Sequence, residues 1–163
     1  MKRPSWDEYF MNIAYETARR SNCCRRQIGA VLVRDRRIVS TGYNGTPLGV
    51  KNCIDGGCLR CASAVPSGQS YDTCICVHAE QNAIVLAARN GTSSDGCVLY
   101  TTLRPCFGCA KESVQAGIIE VVYYEDYRYP EELEAVYQNL IQDAGLTLRH
   151  LTAEFKHKTT RMR

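Results

Sequence analysis

The sequence predicts a three-layer α/β/α sandwich built on a five-stranded mixed sheet. Three observations carry that prediction: a hairpin pattern near the start, strands alternating with helices after it, and a length of 163 residues, which suits one ordinary domain. A hairpin pairs its strands antiparallel, whereas strands separated by helices pair parallel through crossovers. Both kinds of pairing therefore meet in one sheet with helices on both faces.

From 5 to about 20, apolar residues at Trp6, Tyr9, Phe10, Ile13, Ala14 and Ala18 recur at helical spacing, with Ser5 available as an N-cap. Residues 28–33 (IGAVLV) and 37–41 (RIVST) are rich in β-branched side chains around the polar Arg34-Asp35-Arg36, which is the hairpin. Gly42-Tyr43-Asn44-Gly45-Thr46-Pro47 then reads as a turn-rich loop that ends the second strand. Residues 48–73 are irregular, rich in Gly, Ser and Cys, and longer than a surface loop sustains without an internal organiser. Helix formers from 78 to about 89 (HAEQNAIVLAAR) stop at Asn90-Gly91, and a third strand follows at 97–101 (CVLYT). A short helix from about 107 to 116 stops at Gly117 and leads into a strand at 118–123 (IIEVVY). An amphipathic helix at 131–144 and a strand at 146–151 complete the pattern. Residues 1–153 thus read as one domain with a cysteine-rich insertion at about 48–76, and 154–163 as a flexible basic tail.

Apolar residues at 45% and charged ones at 23% are the balance of a soluble globular protein. No apolar run is long enough to span a bilayer, and Met1-Lys2-Arg3-Pro4-Ser5-Trp6-Asp7 has no secretory pattern, so a cytoplasmic protein without membrane partners is expected. The formal charge of +3 is spread in short clusters, which argues against nucleic acid as the main partner. Ten cysteines in a reducing compartment favour metal binding over disulfides.

The chemistry-bearing motifs are His78-Ala79-Glu80 and Pro105-Cys106-Phe107-Gly108-Cys109. Catalytic zinc takes three protein ligands and keeps one position open, and His78, Cys106 and Cys109 supply three. Each motif falls at a predicted helix start, where the partial positive charge of the N-terminus favours thiolates. Zinc lowers the pKa of a water it holds, and Glu80, two residues after the histidine, is the natural proton carrier for a hydrolysis. Taken singly, these residues are a helix cap, two buried thiols and a first-turn carboxylate. A purely structural zinc site would want a fourth protein ligand and would have no use for Glu80. The spacing His-x-Glu with Pro-Cys-x-x-Cys is the signature already known for zinc deaminases. Nearby, Cys58-x-x-Cys61 followed by Cys74-x-Cys76 has the spacing of a local four-thiolate zinc site.

With Ser5-Trp6-Asp7-Glu8-Tyr9-Phe10-Met11, Ile28-Gly29-Ala30-Val31 and Gly42-Tyr43-Asn44-Gly45 added to those motifs, nearly the whole chain resembles the deoxycytidylate (dCMP) deaminase family. The resemblance implies a cytidine deaminase-like fold and hydrolysis of dCMP to dUMP and ammonia, a reaction that supplies thymidylate synthesis. It also implies activation by dCTP, inhibition by dTTP and a homo-hexamer. By the same resemblance Asn44 contacts the sugar, Ala79, Thr102 and Leu103 line the base pocket, and Gly42, Tyr43 and Gly45 shape an effector region. Read without it, Gly42 to Gly45 are a plain turn. Arg26, with Arg25, is a candidate phosphate ligand or a solvated surface cation. Tyr127 and Tyr129 are candidates for packing on the nucleotide or in the core. Arg104 departs from the small residue common at that place in the family. The resemblance further implies a structural zinc on Cys23, Cys53, Cys58 and Cys74, with Cys61 and Cys76 as substitutes, hence two zinc ions per chain.

Three other readings compete. A deaminase of dCTP, or of both nucleotides, shares every motif. A tRNA adenosine deaminase shares the zinc motifs but lacks a reason for the Gly42 to Gly45 loop and the cysteine-rich insertion. A non-catalytic zinc module would not need Glu80.

Overall fold

The computed structural model of the chain describes residues 3–152, so the basic tail expected at 154–163 lies outside the described residues. Helix α1 (Trp6–Ala18) opens on a capping box, in which Glu8 N donates to Ser5 Oγ and Ser5 N donates to the Glu8 carboxylate. Strands β1 (Gly29–Arg34) and β2 (Arg37–Tyr43) form the expected hairpin. Its two turn residues, Asp35 and Arg36, both take left-handed backbone at φ 50° and 59°, the conformation whose twist matches that of paired strands.

After the insertion come α3 (Ala79–Arg89), β3 (Val98–Leu103), α4 (Phe107–Gln115), β4 (Glu120–Glu125), α5 (Glu131–Asp143) and β5 (Thr147–His150); α2 (Leu59–Ala62) is a single turn inside the insertion. The sheet order is β2-β1-β3-β4-β5. β1 pairs antiparallel with β2 and β3, while β3, β4 and β5 run parallel, so the mixed sheet is the one the pattern predicts. Period-2 alternation sends Val31 and Val33 of β1 to one face and Ala30 and Leu32 to the other. The first face is covered by Phe10, Met11, Ala14 and Tyr15 of α1. The opposite face is covered by α3, α4 and α5 through Ala83, Ala87, Ala110, Tyr137 and Ile141. No helix among the described residues is long and apolar enough to cross a membrane.

Two details differ from the sequence expectation. β2 does not end at Thr41: Gly42 pairs with Ala30 and Tyr43 with Gly29, so the first two residues of the expected loop are strand. Gly42 belongs there because a Cβ would collide with the α3 backbone at Ala79 and Ala83, just as one at Gly29 would collide with α1 at Ala14 and Ala18. These close approaches seat the two flanking helices on the hairpin. The insertion is also less irregular than expected, since 3-10 turns at Cys53–Asp55 and Tyr71–Thr73 accompany α2.

Candidate metal centre

His78 and Cys106 are the N-cap residues of α3 and α4, and β3 lies between these helices in the chain. Both caps have extended backbone, which turns their side chains toward the gap between the two helix ends. There His78 Nδ1 lies 3.5 Å from Cys106 Sγ and 3.3 Å from Cys109 Sγ. The three donor atoms fall within 4.8 Å of one another. One imidazole nitrogen and two thiols on helix N-termini suit a borderline-soft cation with one position left over, so the donor set fits catalytic zinc. The Cys106 thiol is lowered to about 4 by the hydrogen bond from Cys109 and the proximity of His78, while Cys109 is raised in turn. The pair thus favours a thiolate at Cys106.

Glu80 sits in the first turn of α3 at 4% exposure and is not one of the three converging donors. Burial pushes its carboxyl up to about 7, against the lowering pull of its own backbone N–H and of His78. A carboxyl poised near neutrality both accepts and releases a proton. A cleft of about 230 Å³ opens beside the three donors, and Tyr71, Cys74, Cys76 and Gln81 line its other side. Gln81 was not singled out from the sequence. It accepts from His78 N and donates to Glu112 of α4 at 2.8 Å, which ties the two helix starts together. Its place three residues after the cap was the available signal.

All ten cysteines are free thiols. The insertion and the end of α1 bring together two groups of four: Cys23, Cys53, Cys61 and Cys76, and Cys58, Cys61, Cys74 and Cys76. The set inferred from the resemblance, Cys23, Cys53, Cys58 and Cys74, is therefore split between two centres. Cys61 and Cys76, which were its substitutes, belong to both. The reason is geometric: the turn of α2 puts Cys58 and Cys61 within reach of Cys74, and Cys76 lies beside Cys61.

The remaining expected contacts are placed as follows. Asn44 is buried, with Oδ1 accepting from Ser21 Oγ at 2.7 Å and from Ile28 N at 2.8 Å while Nδ2 donates to Arg26 O at 2.8 Å; its amide pins the segment before β1. Gly45 pairs with Val77 in a short antiparallel bridge and so holds the approach to His78. The Tyr43 carbonyl accepts from Asn82 of α3, and the ring is partly exposed. Ala79 is fully buried, Thr102 accepts from Gly29 N, and Leu103 closes β3. Arg26 pairs with Glu125, and Arg25 donates instead to the carbonyls of Cys61 and Ser63, which occupies it within the insertion.

Arg104 is 3% exposed and held by both carboxylate oxygens of Glu134, by Tyr127 O and by the face of Tyr137. The departure at this position is thus a buried brace on α5. Tyr127 and Tyr129 hydrogen-bond each other, and Tyr129 Oη accepts from Phe107 N in the first turn of α4. Their packing lies in the layer that supports Cys106.

The profile of the cytidine and deoxycytidylate deaminase zinc-binding region matches residues 4–125. The deoxycytidylate deaminase of Schizosaccharomyces pombe is 47% identical over 90% of this chain, and that of Saccharomyces cerevisiae 44% identical over 93%. The chain spans less than half the length of these two relatives, 44% and 46%. Among solved structures, dCMP deaminase of the cyanophage S-TIM5 in complex with dCMP and dUMP superposes with a TM-score of 0.70 at 31% identity, covering 93% of this chain and 100% of that one.

Proposed function

The chain belongs to the cytidine and deoxycytidylate deaminase zinc-binding family, and from that premise we propose that it hydrolyses dCMP to dUMP and ammonia. The observation that carries the reading is the convergence of His78 Nδ1, Cys106 Sγ and Cys109 Sγ beside a buried Glu80. Zinc held by these three residues supplies Lewis acidity and makes water nucleophilic at neutral pH. Glu80 takes the proton from the attacking water, delivers it to the ring nitrogen and then serves the departing amine. Gln81 and Glu112 keep the two helix ends in register during this exchange.

Thr102 and Leu103, at the end of the strand leading to Cys106, and Ala79, beside Glu80, are assigned to the base pocket on the family resemblance. Asn44 is assigned to the sugar, with one amide hydrogen left after its three bonds. Arg26 is assigned to the phosphate. Gly42, Tyr43 and Gly45 are assigned to an effector region responding to dCTP and dTTP. Residues 1–153 act as one cytoplasmic deaminase domain that assembles as a homo-hexamer; exposed Val85 and Leu86 on α3 supply apolar surface for association. The cysteines of the insertion hold structural zinc besides the catalytic ion.

A substrate panel tests the proposal. Zinc-loaded protein should convert dCMP with loss of cytosine absorbance, and dCTP and deoxycytidine should be poorer substrates. A preference for dCTP would overturn the substrate assignment. Inertness toward all three, with and without dCTP or dTTP as effector, would overturn the reaction itself.

A further inference from the structure

The two four-thiol groups around the insertion share an edge. Cys61 and Cys76 belong to both, with Cys23 and Cys53 on one side and Cys58 and Cys74 on the other. Sulfur separations are 4.0 Å for Cys61 and Cys76, 3.7 Å for Cys61 and Cys74, and 3.9 Å for Cys58 and Cys74. Tetrahedral zinc with Zn–S bonds of about 2.3 Å spaces its ligand sulfurs about 3.8 Å apart. These three pairs therefore already stand near the edge length of a zinc tetrahedron, and the sulfurs of each group of four lie within 4.8 Å of one another, so that two four-thiol groups share the Cys61–Cys76 edge. We propose that the insertion holds two zinc ions in a six-cysteine cluster in which the Cys61 and Cys76 thiolates bridge both ions.

A single zinc accounts for the arrangement less well. It would use one group of four and leave two thiols packed against its thiolates without a role: Cys58 and Cys74 in one case, Cys23 and Cys53 in the other. Cys53 and Cys58 are among the most buried side chains of the segment, at 1% and 0% exposure. Two zinc ions use all six sulfurs. Six thiolates and two divalent cations sum to a net charge of about −2, by the closed thiolate coordination of structural zinc. That charge is met by Arg25, anchored on the carbonyls of Cys61 and Ser63, and by Arg60, anchored on the carbonyl of Gln69 and interacting with Cys61 and Cys74. Zn₂Cys₆ modules of this composition exist in other proteins. The seventh thiol, Cys24, lies 3.7 Å from Cys53 but belongs to neither group, so it is a neighbour of the cluster and no ligand.

The cluster would do more than order a loop. Cys76 is two residues before His78, and Val77 between them is bridged to Gly45. Closing the cluster thus fixes the backbone that delivers the imidazole to the catalytic centre.

Metal counting on the full chain, purified under reducing conditions and loaded with zinc, tests the proposal by native mass spectrometry. The expected count is three zinc ions per chain, one catalytic and two in the cluster. Exchange with cadmium-113 should give two tetrathiolate NMR signals split by coupling to each other through the shared sulfurs. Cys24→Ser should retain three ions, and Cys61→Ser or Cys76→Ser should lose both cluster ions. A count of two in the unmodified chain overturns the cluster while leaving a single structural zinc standing. A count of one removes structural zinc altogether, and three ions with uncoupled cadmium signals remove the bridge. Each of these outcomes is independent of whether dCMP is hydrolysed.

Discussion

The sheet and the insertion are held together by different means. In the sheet, Leu32, Leu99, Val121 and Val122 are fully buried between helices, and the order comes from apolar surface removed from water. In the insertion, the apolar side chains point outward: Leu48, Ile54 and Leu59 are 86%, 55% and 82% exposed. Its buried residues are Cys53, Cys58, Cys61 and Arg60. A segment of that length with no apolar interior cannot offset its chain entropy by packing. Thiol–metal bonds are the chemistry available to do so, and a buried guanidinium satisfied by loop carbonyls adds to them.

Removing metal should separate the two regions. Chelation should release the insertion while the sheet persists, because all but one of the thiols proposed to hold structural zinc lie in that segment, where such zinc would be worth on the order of 10 kcal/mol. Limited proteolysis should then cut between residues 48 and 76, with amide protection in β1, β3 and β4 retained. Collapse of the sheet in step with the loop would show that the two regions are not independent. A cavity in the sheet is the converse test. Leu99→Ala should cost about 2–5 kcal/mol in chemical denaturation and leave the zinc content unchanged.

The Arg104–Glu134 brace gives a smaller, pH-dependent effect in the sheet layer. The Arg104 guanidinium holds the Glu134 carboxyl at about 2, below its ordinary 4.5. Because the folded value is depressed, the stabilisation is fully present above pH 4.5 and disappears as pH falls toward 2, with a total of about 3 kcal/mol. Acid denaturation of wild type and Glu134→Gln should therefore converge across that window, and a constant offset down to pH 2 would contradict the brace. The smallest effect belongs to the insertion surface: Leu59→Ala, at an exposed site, should change stability by less than about 0.5 kcal/mol.

Much of this was legible in the sequence, and the exceptions have physical causes. Runs of β-branched residues and helical spacing place every strand and long helix, because the central strands are covered on both faces of the sheet and each long helix buries one face against it. The trio His78, Cys106 and Cys109 was legible because its spacing is local to two helix starts. The partition of the six cysteines was not, since Cys23 and Cys53 reach Cys61 and Cys76 only through the path of the folded loop. Gly42 read as a turn because its need for a missing Cβ arises from α3, a partner far along the chain. Arg104 could not be placed because the carboxylate that makes its burial tolerable is thirty residues away, at Glu134.

Conversion of dCMP by wild type and Glu80→Gln side by side tests whether the trio and Glu80 form a hydrolytic deamination site. Wild-type protein should release dUMP and ammonia. The variant should keep its zinc and lose about 10²–10⁴-fold in turnover, the range expected for a general acid–base group. Full turnover by a zinc-loaded Glu80→Gln protein would contradict the account.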